Sequence, residues 1–221
     1  MATISSSPST CSTPFGSALD AGELRSLSAQ GVIKSYAKNT VVVSEGDDTD
    51  AFFIVVAGRV KVYVSDEEGR EVVLRALSPG EYFGEMTLDG HPRSASVMTT
   101  EPARLIVIPR AKFHDFVRSH PEFSIHLIEQ LIGRVRALTE DVKSLALMDV
   151  YGRVARFMLE MAKPENGKLV IPDKLTQQDI ASRVGASREM ISKIFKELVT
   201  GGYISIERKR ITINKTPPRH W

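Results

Sequence analysis

Two hydrophobic rhythms divide the chain. Between residues 41 and 108 the apolar positions come in short runs, at 41–43, 52–56, 60–64, 72–77, 95–99 and 105–108, rich in β-branched side chains. Turn chemistry separates them: Glu45-Gly46-Asp47, Ala57-Gly58, Glu68-Gly69 and Pro79-Gly80. Runs of this length and punctuation predict β-strands, and many short strands in succession predict a sandwich or a closed jelly-roll barrel. Ahead of them, Leu24 and Leu27 after Asp20 predict a short helix. Residues 1 to about 18, rich in Ser, Thr and Pro with little to bury, predict a disordered tail.

After Arg110 the period becomes helical. Phe113, Phe116 and Val117 share one face of a short helix, and Pro121 suits the first turn of a much longer one. Within it Ile128, Leu131, Val135, Leu138, Val142 and Leu145 alternate steps of three and four, the seam of a coiled coil. A helix packed on its own barrel also carries an apolar stripe. The strict period, the length and the flanking charges Arg134, Arg136, Glu140 and Lys143 favour a parallel homodimer. Asp149-Val150-Tyr151-Gly152 then reads as a break before a second domain. That domain opens with a helix over about 153–162, followed by a turn at Pro164-Glu165-Asn166-Gly167 and a short strand at 169–171.

Residues 176–198 read TQQDIASRVGASREMISKIFKEL. Thr176 and Asp179 form a capping pair, Ile180 and Val184 face inward, Gly185 makes a sharp turn, and Ser187 caps a second helix with Ile191, Ile194, Phe195 and Leu198 buried. This is helix-turn-helix grammar. On the outer side lie Ser187, Arg188, Glu189, Ser192, Lys193 and Lys196. The start of such a helix enters the major groove, where Arg188 suits guanine and Glu189 the cytosine amino group. Lys193 reaches a base or a phosphate, and Lys196 a phosphate or solvent. Two strands, 203–206 and 210–213, joined by Glu207-Arg208-Lys209, predict a basic-tipped wing.

Composition changes this picture in one respect. The net charge of +2 over 221 residues hides an asymmetry: from Asp149 onward 14 Lys/Arg face 8 Asp/Glu, against 15 and 19 before it. The basic half is where nucleic acid is expected. No apolar run approaches a membrane span and no leader pattern opens the chain, so a cytoplasmic protein is expected. The single cysteine, Cys11, excludes an internal disulfide and a cysteine-ligated iron–sulfur cluster. There is no HExxH, no paired-histidine metal spacing and no P-loop, which argues against an enzyme and against a metal site.

The candidate chemistry of the first half lies in residues 83–95, FGEMTLDGHPRSA. Arg93 beside Ser94, in a loop punctuated by Gly84 and Gly90, suits one phosphate, since the guanidinium is a planar donor fork and the hydroxyl and backbone N–H groups complete the shell. Glu85 only accepts hydrogen bonds, so it suits a sugar hydroxyl or orients Arg93. Together they suggest a cyclic or ribose-linked phosphate. His91, alone beside proline, reads as solvated rather than as a haem ligand.

FGEM followed by PRSA resembles the phosphate cassette of cyclic-nucleotide-binding domains. LALMDVYGRVARFM, TQQDIA and GASREMISKIFKEL are similar to the hinge, the first helix and the recognition helix of the CRP/FNR family of bacterial transcription regulators. The resemblance covers nearly all the chain after the tail. It implies an α+β fold of two domains: a tail at 1–18, a cyclic-nucleotide-binding β jelly-roll barrel at 19–120, a dimerisation helix at 121–148 and a winged helix-turn-helix at 149–221. Carried over, Arg93 and Ser94 meet phosphate, Gly84 and Glu85 the ribose, and Leu138 and Thr139 the base, Thr139 from either subunit. Leu138 stands where the family pattern has a hydroxyl, so cyclic AMP is the first candidate effector, with cyclic GMP, cyclic di-GMP, another effector or a pocket that binds no ligand open. The implied DNA contacts are Thr176, Gln177, Ser187, Arg188, Glu189, Ser192 and Lys193, on a palindromic operator; Lys193 replaces a family arginine. The implied protein partners are a second copy of the chain and RNA polymerase.

Overall fold

The computed structural model describes residues 21–48, 50–172, 175–207 and 210–217. The predicted tail at 1–18, and Arg208 and Lys209 of the predicted wing tip, lie outside them. Helix α1 (Ala21–Ser28) precedes eight strands, β1 (Val32–Tyr36), β2 (Val41–Val43), β3 (Ala51–Ala57), β4 (Val60–Ser65), β5 (Glu71–Leu77), β6 (Tyr82–Phe83), β7 (Ser96–Thr99) and β8 (Ala103–Pro109). They form two antiparallel sheets in the orders β1-β8-β3-β6 and β2-β7-β4-β5. β3 shows why the strand runs are so apolar. Alternate residues of this strand point to opposite faces, and both faces are covered. Phe53 and Val55 pack between the sheets with Val60, Leu77 and Leu105. Phe52 and Ile54 pack outward against the following helices, Phe52 stacking on Phe113 with ring centroids 4.0 Å apart.

Strands β1 and β6 were not foreseen. β1 is a largely exposed edge, so its pattern lacks the alternation of a half-buried strand. β6 is two residues long, too short to carry any period.

Helices α2 (Arg110–Ser119) and α3 (Pro121–Leu147) follow, with Pro121 at the first turn of α3. Phe113, Phe116, Phe123 and Leu127 bury one side of the pair against the barrel. The predicted seam divides. Ile128, Val135 and Val142 stand on the open side, 55%, 61% and 65% exposed, whereas Leu131 packs partly buried against the barrel core. Leu138 and Leu145 are also open, 53% and 56% exposed, Leu138 lining a cavity beside the barrel and Leu145 next to Gly185. The outward line is Ile125, Ile128, Ile132, Val135, Thr139 and Val142. It has the same steps of three and four in the adjoining register. A helix with two neighbouring apolar stripes satisfies either register from spacing alone, and of the predicted seam the barrel covers Leu131.

The first helix of the second domain begins earlier than expected. Helix α4 (Val150–Met161) starts at Val150, because the Asp149 carboxylate accepts from the Gly152 N–H at 2.7 Å and caps it. The break is Met148, in extended conformation. Residues 164–167, expected as a turn, give half their length to a strand: β9 (Lys163–Glu165) pairs with β10 (Lys168–Ile171) across Asn166-Gly167, both at positive φ, as a tight hairpin requires. Helices α5 (Gln177–Val184) and α6 (Arg188–Thr200) and strands β11 (Ile204–Glu207) and β12 (Arg210–Ile213) complete the chain. The sheet order is β11-β12-β10-β9. Val154, Met158, Ile180, Ile191, Phe195 and Leu198 form its core.

Candidate ligand cavity and nucleic-acid interface

A cavity of about 840 Å³ lies between the barrel, α3 and the second domain. Its polar end is the loop that follows β6. Gly84 sits at φ 86°, and a Cβ there would lie 2.8 Å from Arg93 Nη1 and 3.0 Å from the Ala51 carbonyl oxygen. Only glycine permits both that backbone and that approach. Arg93 therefore lies across the loop, where its Nη2 donates to the Ala51 carbonyl at 2.7 Å and its guanidinium stands over the Phe53 ring at 5.6 Å. Its backbone is held in turn, its N–H donating to the Asp47 carbonyl at 2.9 Å. Burial pushes the guanidinium below its usual range, a pull that Asp50, Glu85 and Asp47 oppose. Ser94 is exposed, its hydroxyl 3.3 Å from Met86 Sδ.

Glu85 is buried at the start of a 3-10 turn over Glu85–Leu88 and is ion-paired with Arg134 of α3. Arg134 was expected to flank the dimer seam; instead it reaches into the cavity and lies over the Tyr82 ring at 5.4 Å. It is a cavity-lining side chain that the sequence reading placed elsewhere. One signal could have found it: 49 residues after an acidic loop residue, an arginine stands on the helix stripe beside Leu131 and Leu138. Glu85 Oε2, Thr87 Oγ1, Arg93 Nε and Arg134 Nε are buried without a hydrogen-bond partner among the described residues. Buried polar atoms are rarely left so, and all four belong to residues that line this one cavity.

Five of the six predicted ligand residues, Gly84, Glu85, Arg93, Ser94 and Leu138, line this single cavity. Thr139 does not. It is on the outward line of α3, its hydroxyl donating to the Val135 carbonyl at 2.9 Å, so within one protomer it does not line the cavity.

The second set of residues is brought together more simply. Arg188, Glu189, Ser192 and Lys193 are exposed on one side of α6, opposite its buried stripe. Gly185, at φ 65°, turns the chain between α5 and α6. The Ser187 hydroxyl accepts from the Met190 N–H at 3.2 Å. Glu189 is held below the usual carboxylate range by its own backbone N–H and by the Ser187 hydroxyl. Thr176 is committed to structure: its hydroxyl accepts from the Asp179 N–H at 3.1 Å while its own backbone N–H donates to Asp179 Oδ2 at 2.8 Å, a full capping box, and the hydroxyl also donates to Oδ2 at 2.7 Å. Gln177, the first residue of α5, is half-buried. The two domains also touch directly. Arg183 of α5 donates to the carbonyls of Val73, at 2.9 Å, and Leu74, both on β5.

A barrel with a phosphate-type cradle, a long helix and a winged helix-turn-helix define a ligand-responsive transcription regulator. Comparison with known proteins agrees. Residues 33–120 match the cyclic nucleotide-binding domain and residues 152–217 the Crp-like helix-turn-helix domain. The chain is 34% identical over 191 residues, 83% of its length and 90% of the relative's, to the cAMP-activated global transcriptional regulator CRP of Pasteurella multocida. It is 32% identical over 184 residues to a CRP-like cAMP-activated regulator of Mycobacterium tuberculosis, covering 81% of this chain and 82% of that one. Among solved structures, a CRP/FNR-family regulator of Thermus thermophilus superposes with a TM-score of 0.66 at 28% identity, covering 84% of this chain and 94% of that one. The c-di-GMP-responsive regulator CLP of Xanthomonas campestris shares the fold at 0.74 and 24% identity, over 88% of this chain and 99% of that one. The chain belongs to the CRP/FNR family of transcription regulators. These relatives are regulators rather than enzymes, in line with the missing catalytic motifs.

Proposed function

We propose that the protein is a homodimeric, sequence-specific DNA-binding regulator whose affinity for DNA is set by a cyclic nucleotide held in the barrel. The observation that carries this reading is the ion pair between Glu85 of the cradle and Arg134 of α3, which makes the ligand site and the long helix one unit. Arg93, Ser94 and backbone N–H groups hold the phosphate, and Glu85 accepts from the ribose. Cyclic AMP is the ligand named for the relatives in Pasteurella multocida and Mycobacterium tuberculosis, and it heads the panel to be tested.

The barrel at 19–120, the helix at 121–148 and the winged helix-turn-helix at 149–221 are the units of the mechanism. The outward line of α3 pairs with its counterpart in a second copy, from which Thr139 can reach the base. Arg188, Glu189 and Lys193 read base edges, and Ser187, Ser192 and Gln177 contact the backbone of a palindromic operator. RNA polymerase is the further partner that a regulator of transcription implies. Ligand acts by differential contacts in two arrangements of the dimer. The bonds from Arg183 to β5 support such coupling, because β5 also walls the cavity. Gel-shift titration against a selected operator, with and without each cyclic nucleotide, tests the whole reading. The expected result is a DNA affinity that one nucleotide raises at least about tenfold, within the usual range of allosteric coupling. Failure to select any operator in any ligand state would overturn it.

A further inference from the structure

The barrel is not closed all the way round. β1 ends one sheet and β2 the other, and among the described residues these two edges do not pair with each other. A second cavity, of about 550 Å³, opens along this seam, a size that suits a small organic ligand. Val32, Lys34 and Tyr36, alternate residues of β1 and therefore on one face of it, all line it. Its floor is apolar: Phe53, Val42, Val43 and Val107 belong to the packing between the sheets. Burial raises the Tyr36 hydroxyl above its usual range, as expected on a half-dry wall. The seam cavity has only Val43 and Arg93 in common with the cradle cavity, so the two are separate compartments that meet at Arg93.

The rim of the seam carries both signs of charge. Lys34 and Lys112 bring ammonium groups, and Asp47, Asp48 and Asp50, between β2 and β3, bring carboxylates. One carboxylate is in use, since Asp47 Oδ2 accepts from the Ser44 N–H at 3.2 Å. Asp50 acts on Arg93 through space, opposing its burial. Yet Lys34, Lys112, Asp48 and Asp50 form no ion pair among the described residues. Opposite charges that line one cavity without pairing are held apart by it, and a ligand bearing both signs fits between them. Among the described residues no group of three or more His, Cys, Asp or Glu is placed to hold a metal ion, so the carboxylates suit an organic ammonium instead.

We propose that this seam is a binding site for a free α-amino acid with a branched aliphatic side chain. The α-carboxylate meets Lys34 and Lys112, the ammonium meets Asp48 and Asp50, and the side chain lies on Val42, Val43 and Val107. Both ends then make charge-assisted hydrogen bonds, which are about twice as strong as neutral ones. An amine or a carboxylic acid alone answers one set of rim charges and leaves the other as it was. The apolar floor adds the discrimination among amino acids, favouring those that bury more hydrocarbon. The site stands whether or not the cradle binds a cyclic nucleotide.

Calorimetric titration of the full chain with leucine, glycine, isopentylamine and 4-methylpentanoate tests it. The last two are leucine without its carboxylate and without its amino group. Leucine should bind about tenfold or more tightly than either, the difference one charge-assisted contact makes, and more tightly than glycine. Lys34→Gln should bring leucine down toward the level of isopentylamine, and Asp50→Asn toward that of 4-methylpentanoate. Both side chains are exposed, so both variants should fold; thermal melts check this, and Lys112→Gln with Asp48→Asn give a second pair of readings. Leucine that does not bind, that binds no better than its two halves or glycine, or that keeps its advantage in all four variants overturns the proposal.

Discussion

The loop at Gly84 and the turn at Gly185 both use a left-handed glycine to set side chains in place, and they do so under different constraints. At Gly84 an added Cβ would press on Arg93 and on the Ala51 carbonyl, so the loop depends on residues distant in the chain as well as on its φ. At Gly185 the nearest atom to such a Cβ is Leu145 Cδ2 at 3.6 Å, an ordinary contact, so only the backbone conformation asks for glycine. The cavity is thus a long-range object, closed by Glu85 pairing with a residue 49 positions on. The exposed face of α6 is local: two caps, one turn and one side of a single helix. A substitution in the first should spread through the pocket, and one in the second should stay where it is made.

Three variants can break or sharpen that contrast. The largest effect is expected from Arg93→Ala, which removes the phosphate fork and leaves Glu85 with less opposing charge. Ligand affinity should fall roughly 100-fold or more, from the loss of charge-assisted bonds worth about 1.5–3 kcal/mol each. Sedimentation should still report the dimer, since Arg93 lies away from the open side of α3. Unchanged affinity in calorimetry would remove Arg93 from the site. Next is Arg188→Ala. Binding to the selected operator should weaken by about 1–3 kcal/mol and relax at one base position, with ligand affinity on the free protein unaltered; a uniform loss on all sequences would instead mark Arg188 as a phosphate contact. The smallest is Thr176→Ala. Because its hydroxyl is spent on the capping box, the expected cost is about 1 kcal/mol of stability, seen as a lower Tm, while the salt dependence of DNA binding stays as it was. A changed salt slope at unchanged Tm would return Thr176 to the DNA contacts.

The same contrast governs what was readable beforehand. Gly84, Glu85, Arg93 and Ser94 fall within one short stretch and carry a recognisable chemistry, so the cradle could be found as a piece of chain. Thr176, Asp179, Gly185 and Ser187 act on backbone within one turn of themselves, and the helix pair followed from them directly. Arg134 carried no such mark. On a helix stripe it looks like a solvated charge until the fold turns it inward.

From its own order of residues, then, this protein determined most of its barrel strands, its helix-turn-helix and the phosphate-type loop, because period, capping and turn chemistry act over a few positions. The tertiary structure alone decided the rest. It set which stripe of α3 the barrel covers, sending Leu131 inward and leaving Ile132 open. It turned Thr139 out of the cavity and brought Arg134 into it, and it paired the edge strand β1 with β8. Each of these is a choice between faces that sequence spacing leaves equivalent, and burial against a distant element separates them.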